Sequence, residues 1–510
     1  MKNRYILLLS ALLPLVMASC SKFQDINTNP DKPVEVTPDL IVTKVEQGTF
    51  RFFNPVPDEF RQGDNLMNKY IVVLNSTANP GQYFYSYYPY GNFDGYVNLT
   101  DLKLMSRFAE GSVGDDSYKG FELFMKAYYG FRATLAMGDV PYSEAGKADE
   151  GILTPKYDKQ ADVFAGVLAD LKQAETYFAA GESFKGDFMY GGDPAKWRRL
   201  CNMLQLKVLQ TMSRKAGSAE KSRFAQIVSA GNLMKGNDDD FKLVYSTNTN
   251  ATYPFWNGKT QRNETGVTEL LVNTLKRYGD RRLFYYAEPA AERIAAGKAD
   301  NDFDAYVGAP SQLSSELLAV NNAAGAYSLL NLRYPEFRDG DPMLIYTYAE
   351  QCFIIAEAIE EGWLSGDAKK YYEEGVKASL TRFRDLPNTK DYVHGMAVDD
   401  AYIASYFTGE AAYKTAGGKS DRLCQIWDQR WLIDFFSGRP DYYYQFLRTG
   451  WPKYPLDPDT NMNADDTSTW PKRWMYPTGE QNTNPDNYHA AIDSQFGGFD
   501  SVNKLPWYLQ

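Results

Sequence analysis

The chain has 510 residues, 54 basic against 65 acidic, and a formal net charge of -11. Hydrophobic residues at 44% and charged residues at 23% are ordinary for a packed protein and exclude global disorder. The acidic balance argues against nucleic acid as a partner, which needs clustered Lys and Arg, and two histidines leave little room for a His-rich metal site or a His-centred triad.

Lys2 and Arg4 precede an apolar run of 13 residues, Tyr5 to Met17. That run is too short to span a bilayer, which takes about 20 residues, and has the length of a signal-peptide core. It ends in Met17-Ala18-Ser19-Cys20. Small residues before a single Cys suit a bacterial lipobox, with Cys20 becoming the lipidated N-terminus, although Met17 stands where Leu is usual. The alternative is a plain secretory signal with an incidental cysteine. The expected division is a lipoprotein signal peptide over 1–19, a lipidated tether over 20–39 and a single helical domain over 40–510. No other stretch is long and apolar enough to cross a membrane, so an anchored protein is expected. Cys201, Cys352 and Cys424 sit in apolar helical patterns without CxxC spacing, which predicts buried free thiols.

From Leu40 onward helical periodicity dominates. Residues 158–180 carry the stripe Val163, Val167, Leu168, Leu171 and Ala174, with Asp158 as candidate cap. A helix over 195–215 starts behind Pro194. Helices over 344–362 and 367–383 form a pair joined by the short link Gly362 to Gly366, which favours antiparallel packing. Another helix covers 421–437. Phe241 to Tyr245 is the one clear strand candidate. Long irregular stretches, about 74–100, 246–265, 297–343 and 451–510, are rich in Gly, Pro, Asn and aromatics, and their rings argue for order. Ala356, Ala358, Gly362 and Ala368 supply the small residues that tetratricopeptide-type packing needs. The expected fold is mainly all-α: a tetratricopeptide-like helical scaffold with long aromatic-rich loops.

No GxxxxGK[ST], GxGxxG, HExxH or GxSxG string occurs, so neither catalytic residues nor a cofactor is expected. Glu357, Glu360 and Glu361 read as a solvated helix face. Asp457, Asp459, Asn461, Asn463 and Asp465 alternate like the front of a calcium loop. Met462 stands where such a loop needs Gly, and Ser468 where it needs Glu. An acidic surface loop without metal is the expectation, as for Asp300, Asp302 and Asp304.

The outlier is aromatic content, at 15%. Between Tyr83 and Tyr96, eight of fourteen residues are aromatic, broken by Pro89 and Gly91. Such a segment can form a ligand platform, with ring faces meeting sugar C–H faces and hydroxyl and amide groups taking ligand hydroxyls. It can equally use its rings as local core. Tyr88, Tyr90 and Asn92 mark its most exposed turn. A second cluster contains Trp256, Asn257 and Gly258, followed by Arg262. Tyr327 lies in a small-residue stretch and is a third candidate. The candidate ligand-binding set is therefore Tyr88, Tyr90, Asn92, Trp256, Asn257, Arg262 and Tyr327. Six of the nine Trp lie after residue 420, which predicts a packed C-terminal core.

Several strings in order resemble one family. They are Phe23-Gln24-Asp25-Ile26-Asn27-Thr28-Asn29-Pro30-Asp31, Gly138-Asp139-Val140-Pro141-Tyr142, Gly192-Asp193-Pro194-Ala195-Lys196-Trp197, Arg448-Thr449-Gly450-Trp451-Pro452 and Asn482-Thr483-Asn484-Pro485-Asp486-Asn487-Tyr488. With the lipobox, they resemble the SusD/RagB family of nutrient-binding lipoproteins over nearly the whole chain. The resemblance implies a tetratricopeptide-like fold and a lipid-anchored location on the outer-membrane surface. It implies a partner, a TonB-dependent SusC-like barrel, to which oligosaccharides are delivered without chemistry. Peptide capture by the same kind of lid is the alternative cargo, and a glycoside hydrolase, which needs two carboxylates across a cleft, the alternative class. The shared strings look structural; the Gly138 string reads as a turn between helices. None carries a binding residue over.

Overall fold

The computed structural model describes residues 36–50, 64–79, 81–83, 90–248, 251–387, 389–437, 441–463 and 465–510. Cys20 and Tyr88 lie outside the described residues. The principal helices, in chain order, are α1 (Pro38–Phe50), α2 (Leu99–Ala109), α3 (Asp115–Met137), α4 (Gln160–Ala180), α5 (Pro194–Thr211), α6 (Ser218–Ala230) and α7 (Glu269–Tyr278). After them come α8 (Ser315–Ala323), α9 (Tyr348–Glu360), α10 (Ala368–Asp385), α11 (Lys419–Leu432), α12 (Asp441–Thr449) and α13 (Pro485–Phe496). The described strands are short: β1 (Ile71–Val73) pairs antiparallel with β3 (Thr265–Val267), and β2 (Phe241–Leu243) with β4 (Met343–Tyr346).

The helices stack in sequence. α2 packs on α1 and α3, α4 on α3, and α5 on α4. α5 then meets α9, which packs on α10 and α11. This mainly α-helical, tetratricopeptide-like architecture is the one expected. The residues in the Gly192–Trp197 string show how it is built. Asp193 caps α5 by accepting from the Ala195 and Lys196 amides, and Pro194 opens the helix. Trp197 is thereby placed inside a nest of rings, 5.1 Å from Phe124 and 5.3 Å from Phe121 between centroids, with its Nε1 donating to Asp187 at 2.7 Å. Gly192 is required here: its φ is +76°, and a Cβ would lie 1.8 Å from the Phe184 carbonyl.

Several expectations change. Asp158 does not cap α4; its carboxylate accepts from the Tyr142 and Ser143 amides at 3.0 and 2.6 Å, and Asp139 Oδ1 takes the Gln160 amide instead, at 2.7 Å. The Gly138–Tyr142 string lies between α3 and α4, as read, but only opens a connection that runs on to residue 159 through a turn at Ala148–Glu150. The start of the expected 344–362 helix is strand β4, because Met343–Tyr346 supplies the edge that β2 pairs with. Helices α8 and α13 lie within stretches read as irregular, and α1 begins at Pro38, inside the expected tether.

Glu357 is not solvated. It is 2% exposed, and its carboxylate takes both Nη atoms of Arg448, at 2.5 and 3.1 Å. Glu360 pairs with Arg422 at 2.9 Å; Glu361 stays on the surface with Lys419. Asn461 and Asn463 are buried too, giving their amides to the Thr467 and Thr469 carbonyls and to Asn503, so the alternation serves loop folding. Among the late tryptophans only Trp431 is fully enclosed; the others keep partial exposure. Cys201 and Cys352 are buried free thiols, whereas Cys424 is half-buried. Among the described residues no helix is long and apolar enough to cross a membrane, and no group of His, Cys, Asp and Glu is arranged to hold a metal ion.

Candidate functional site

The aromatic segment splits between inside and outside. Tyr83 is buried, with its hydroxyl donating to the Leu313 carbonyl at 2.7 Å. Phe93 and Tyr96 pack against the core with their centroids 5.2 Å apart. Tyr90 points outward at 44% exposure, and the segment is held there by Gly91, whose amide donates to the Met475 carbonyl at 2.8 Å. Asn92 is exposed; its Oδ1 accepts from the Asp94 amide at 3.3 Å.

The second cluster is a tight turn on a fixed base. Phe255 is fully buried, 5.1 Å from Phe436 between centroids. The next residue, Trp256, is half-buried, and the Arg338 guanidinium lies over its ring, 4.2 Å from the centroid. Asn257 adopts a φ of +65° and its amide donates to the Pro335 carbonyl at 2.9 Å. That conformation suits Asn among non-glycine residues, and it leaves the amide side chain exposed. Arg262 spends its Nε on the Leu330 carbonyl at 2.6 Å, and burial pushes its pKa down. Tyr327 is 8% exposed and its hydroxyl accepts from Asn321 at 2.8 Å. The chain from Ser328 to Pro335 runs back along 257–267, with Asn257 opposite Pro335, Arg262 opposite Leu330 and Val267 opposite Ser328, so Trp256 and Asn257 lie at one end of this pairing and Tyr327 at the other. Asn257 faces outward and Trp256 is partly exposed, whereas Arg262 braces the Leu330 backbone and Tyr327 is held by the Asn321 side chain. Tyr90 and Asn92 are fixed by other partners, near Met475. Arg338 was not legible as a site residue, since no local pattern marks a cation that meets a ring 82 residues away.

The described chain also holds an open cleft of about 400 Å³, within the range of about 300–1,000 Å³ usual for small-molecule sites. One wall is helix α7. Thr268 caps it by accepting from the Leu271 amide, and Gly279 ends it in the left-handed region. Leu271, Val272, Leu275 and Tyr278 face the core, while Leu270, Asn273, Thr274 and Arg277 recur at three- and four-residue spacing and line the cleft beside Glu269. Ser311 and Gln312 form a second side, Lys453 and Pro455 a third. Asp428 organises the basic end from beneath: it accepts from Arg277 at 2.5 Å, the Tyr278 hydroxyl at 2.7 Å and the Trp451 indole at 2.8 Å. Burial pushes the Asp428 carboxyl above its ordinary pKa, and those donors oppose the rise. No sequence signal marked this cleft, because its lining comes from three separated segments and contains no aromatic residue. A second hollow, walled by Tyr253, Arg333, Phe337 and Asp341, has about 20 Å³, room for a single water.

A helical stack that carries a loop-built, ring-bearing face and a polar cleft defines a ligand-binding protein. The chain matches, over residues 30–477, the model of a SusD-like family described as starch-binding and associating with the outer membrane. It belongs to that SusD-like family. Among curated proteins none matches it. A SusD homologue of Bacteroides fragilis is 34% identical over 93% of this chain and 100% of its own, with a TM-score of 0.86. An outer-membrane protein of Bacteroides vulgatus, thought to bind nutrients, is 31% identical over the same shares, with a TM-score of 0.81. A chitin-binding protein at 24% identity, covering 93% of this chain and 100% of its own with a TM-score of 0.74, shares the fold. The family is one of nutrient- and carbohydrate-binding proteins of the outer membrane, and its members are described as binding proteins.

Proposed function

We propose that this chain is a cell-surface lipoprotein, anchored through Cys20, that captures oligosaccharides and delivers them to a TonB-dependent SusC-like barrel without breaking a bond. The observation that carries the reading is Trp256: a partly buried indole whose ring lies under the Arg338 guanidinium, beside the exposed amide of Asn257. Flat rings give affinity by stacking and apolar burial; Asn257 and Arg338 fix orientation. Tyr90 and Asn92 form a second outward point of contact, with Tyr88 between Tyr83 and Tyr90 in sequence. A protein that must release its cargo needs modest affinity, and micromolar binding corresponds to about -8 kcal/mol.

Calorimetric titration of the mature, unlipidated chain with glycans and peptides tests this. Glycan binding without release of reducing sugar is the expected result. Peptide binding alone would move the cargo to the other class, and reducing-sugar release would make the protein a hydrolase. Co-purification of a barrel with the native lipidated chain tests the delivery partner, and its absence would count against delivery.

A further inference from the structure

The cleft between α7, residues 311–312 and residues 453–455 is distinct from the Trp256 turn, and its lining differs in kind. It offers hydroxyls and amides from Asn273, Thr274, Ser311 and Gln312, and charges at Glu269, Arg277 and Lys453. Three observations mark it as built for a ligand. Ser311 is 2% exposed, yet its Oγ has no hydrogen-bond partner among the described residues, and the enclosed Oε1 of half-buried Gln312 has none among them either. A buried hydroxyl or amide oxygen without a partner is unfavourable, and a bound ligand hydroxyl would relieve it. Lys453 makes no ion pair among the described residues and rests 6.0 Å from the Trp451 ring centroid. Arg277 commits one Nη to Asp428 and lies against the Tyr278 ring, 4.9 Å from its centroid.

The charges are ordered along the cleft. Asp428 ties Arg277 to the Trp451 indole from below and is itself buried, so Arg277 is ion-paired at the end of the cleft where Lys453, beside Trp451, is the cation without an ion pair among the described residues. Glu269 stands eight residues before Arg277 on the same helix, about 12 Å away at 1.5 Å per residue. The floor is continuous with the aromatic segment: Thr460 donates to the Gln312 carbonyl at 2.7 Å, and Tyr83 to the neighbouring Leu313 carbonyl.

From this arrangement we infer that the cleft is a second saccharide site and that it takes an acidic sugar. The carboxylate or sulfate ester lies at Arg277 and Lys453, and neutral ring hydroxyls lie toward Ser311, Gln312 and Glu269. A carboxylate acceptor such as Glu269 suits hydroxyl donors, and a planar guanidinium beside an ammonium suits an oxyanion. In a chain with net charge -11, the cationic end at Lys453 and Arg277 is what would hold an anionic ligand against the general repulsion. The inference rests on the reading that the chain binds glycans.

The test uses the mature chain and three probes: trigalacturonate, a sulfated chondroitin disaccharide and neutral maltotriose. Calorimetry at low and at physiological salt is expected to show at least one acidic probe binding tenfold or more tighter than maltotriose, with the advantage shrinking as salt rises. Which acidic probe wins separates a carboxylate from a sulfate ester. Lys453→Gln, at an exposed and unpaired position, should weaken the acidic probe about tenfold and leave maltotriose unchanged; Ser311→Ala should weaken it less. Equal affinity for acidic and neutral probes, or an unaltered Lys453→Gln, overturns the acidic-sugar site while the glycan reading stands. Absence of binding to all three probes and to the wider glycan panel overturns both.

Discussion

Charges are treated in opposite ways in two regions of this molecule. In the helical stack they are buried and closed on one another: Lys207 and Arg430 meet Glu350 at 2.9 and 3.0 Å, and Arg448 meets Glu357 at 2.5 Å. On the loop face they stay half-met: Lys453 has no ion pair among the described residues and Arg338 rests on a ring. Closed pairs can hold helices in register but can recruit nothing, since breaking one strands a charge in low dielectric. Open ones add little to stability and remain available to a ligand. The contrast separates the residues that make the fold from those that can make contacts.

Removing one partner inside the stack should break the fold hardest. Glu350→Gln leaves Lys207 and Arg430 without their shared acid, and an unfolding titration is expected to show a loss of about 3–5 kcal/mol. A loss below about 1 kcal/mol would erase the distinction between the two regions. Truncating the face should do the reverse. Trp256→Ala is expected to weaken glycan binding about tenfold, which is about 1.4 kcal/mol, with an unfolding free energy close to the parent's; Tyr90→Ala should weaken binding less. If Trp256→Ala instead unfolds the protein at unchanged affinity, that ring belongs to the scaffold.

The smallest effect concerns pH. His394 lies between Glu288 at 3.0 Å and Asp300 at 3.3 Å, and chiefly its hydrogen bond to Glu288 raises its pKa. A raised folded-state pKa contributes stability that is fully present below the unfolded value, about 6.5, and is lost as pH rises through the folded one. His394→Ala is therefore expected to cost about 0.5 kcal/mol at pH 6 and less at pH 9. A cost that is equal at both, read from paired melting curves, would show that the charge contributes nothing.

Which parts were legible follows from the range of the interactions. α4 and α5 could be read because stripe, proline and spacing all lie within one segment. α13 had the same signals, Pro485 at its start and Gly497 in the left-handed region at its end, inside a stretch whose composition suggested a loop. Glu357 could not be read: its neighbours on the helix are acids, and only folding brings Arg448 and Arg430 to it. Tyr90 and Asn257 were legible because a Pro- and Gly-broken aromatic run has few ways to bury every ring. Arg338 and the cleft depend on segments far apart in sequence, and no periodicity encodes that meeting.

The Arg338 guanidinium over Trp256 has a kinetic consequence. An empty stacking ring normally gains its whole contact area when cargo arrives, but here one face already has an occupant. A sugar that takes that face must first evict it, exchanging a cation–π contact of about 0.5–1 kcal/mol for its own. The same guanidinium stands ready to return whenever the sugar lifts. Under the proposed glycan-binding role, such a self-competing platform would shorten residence time without enlarging the site.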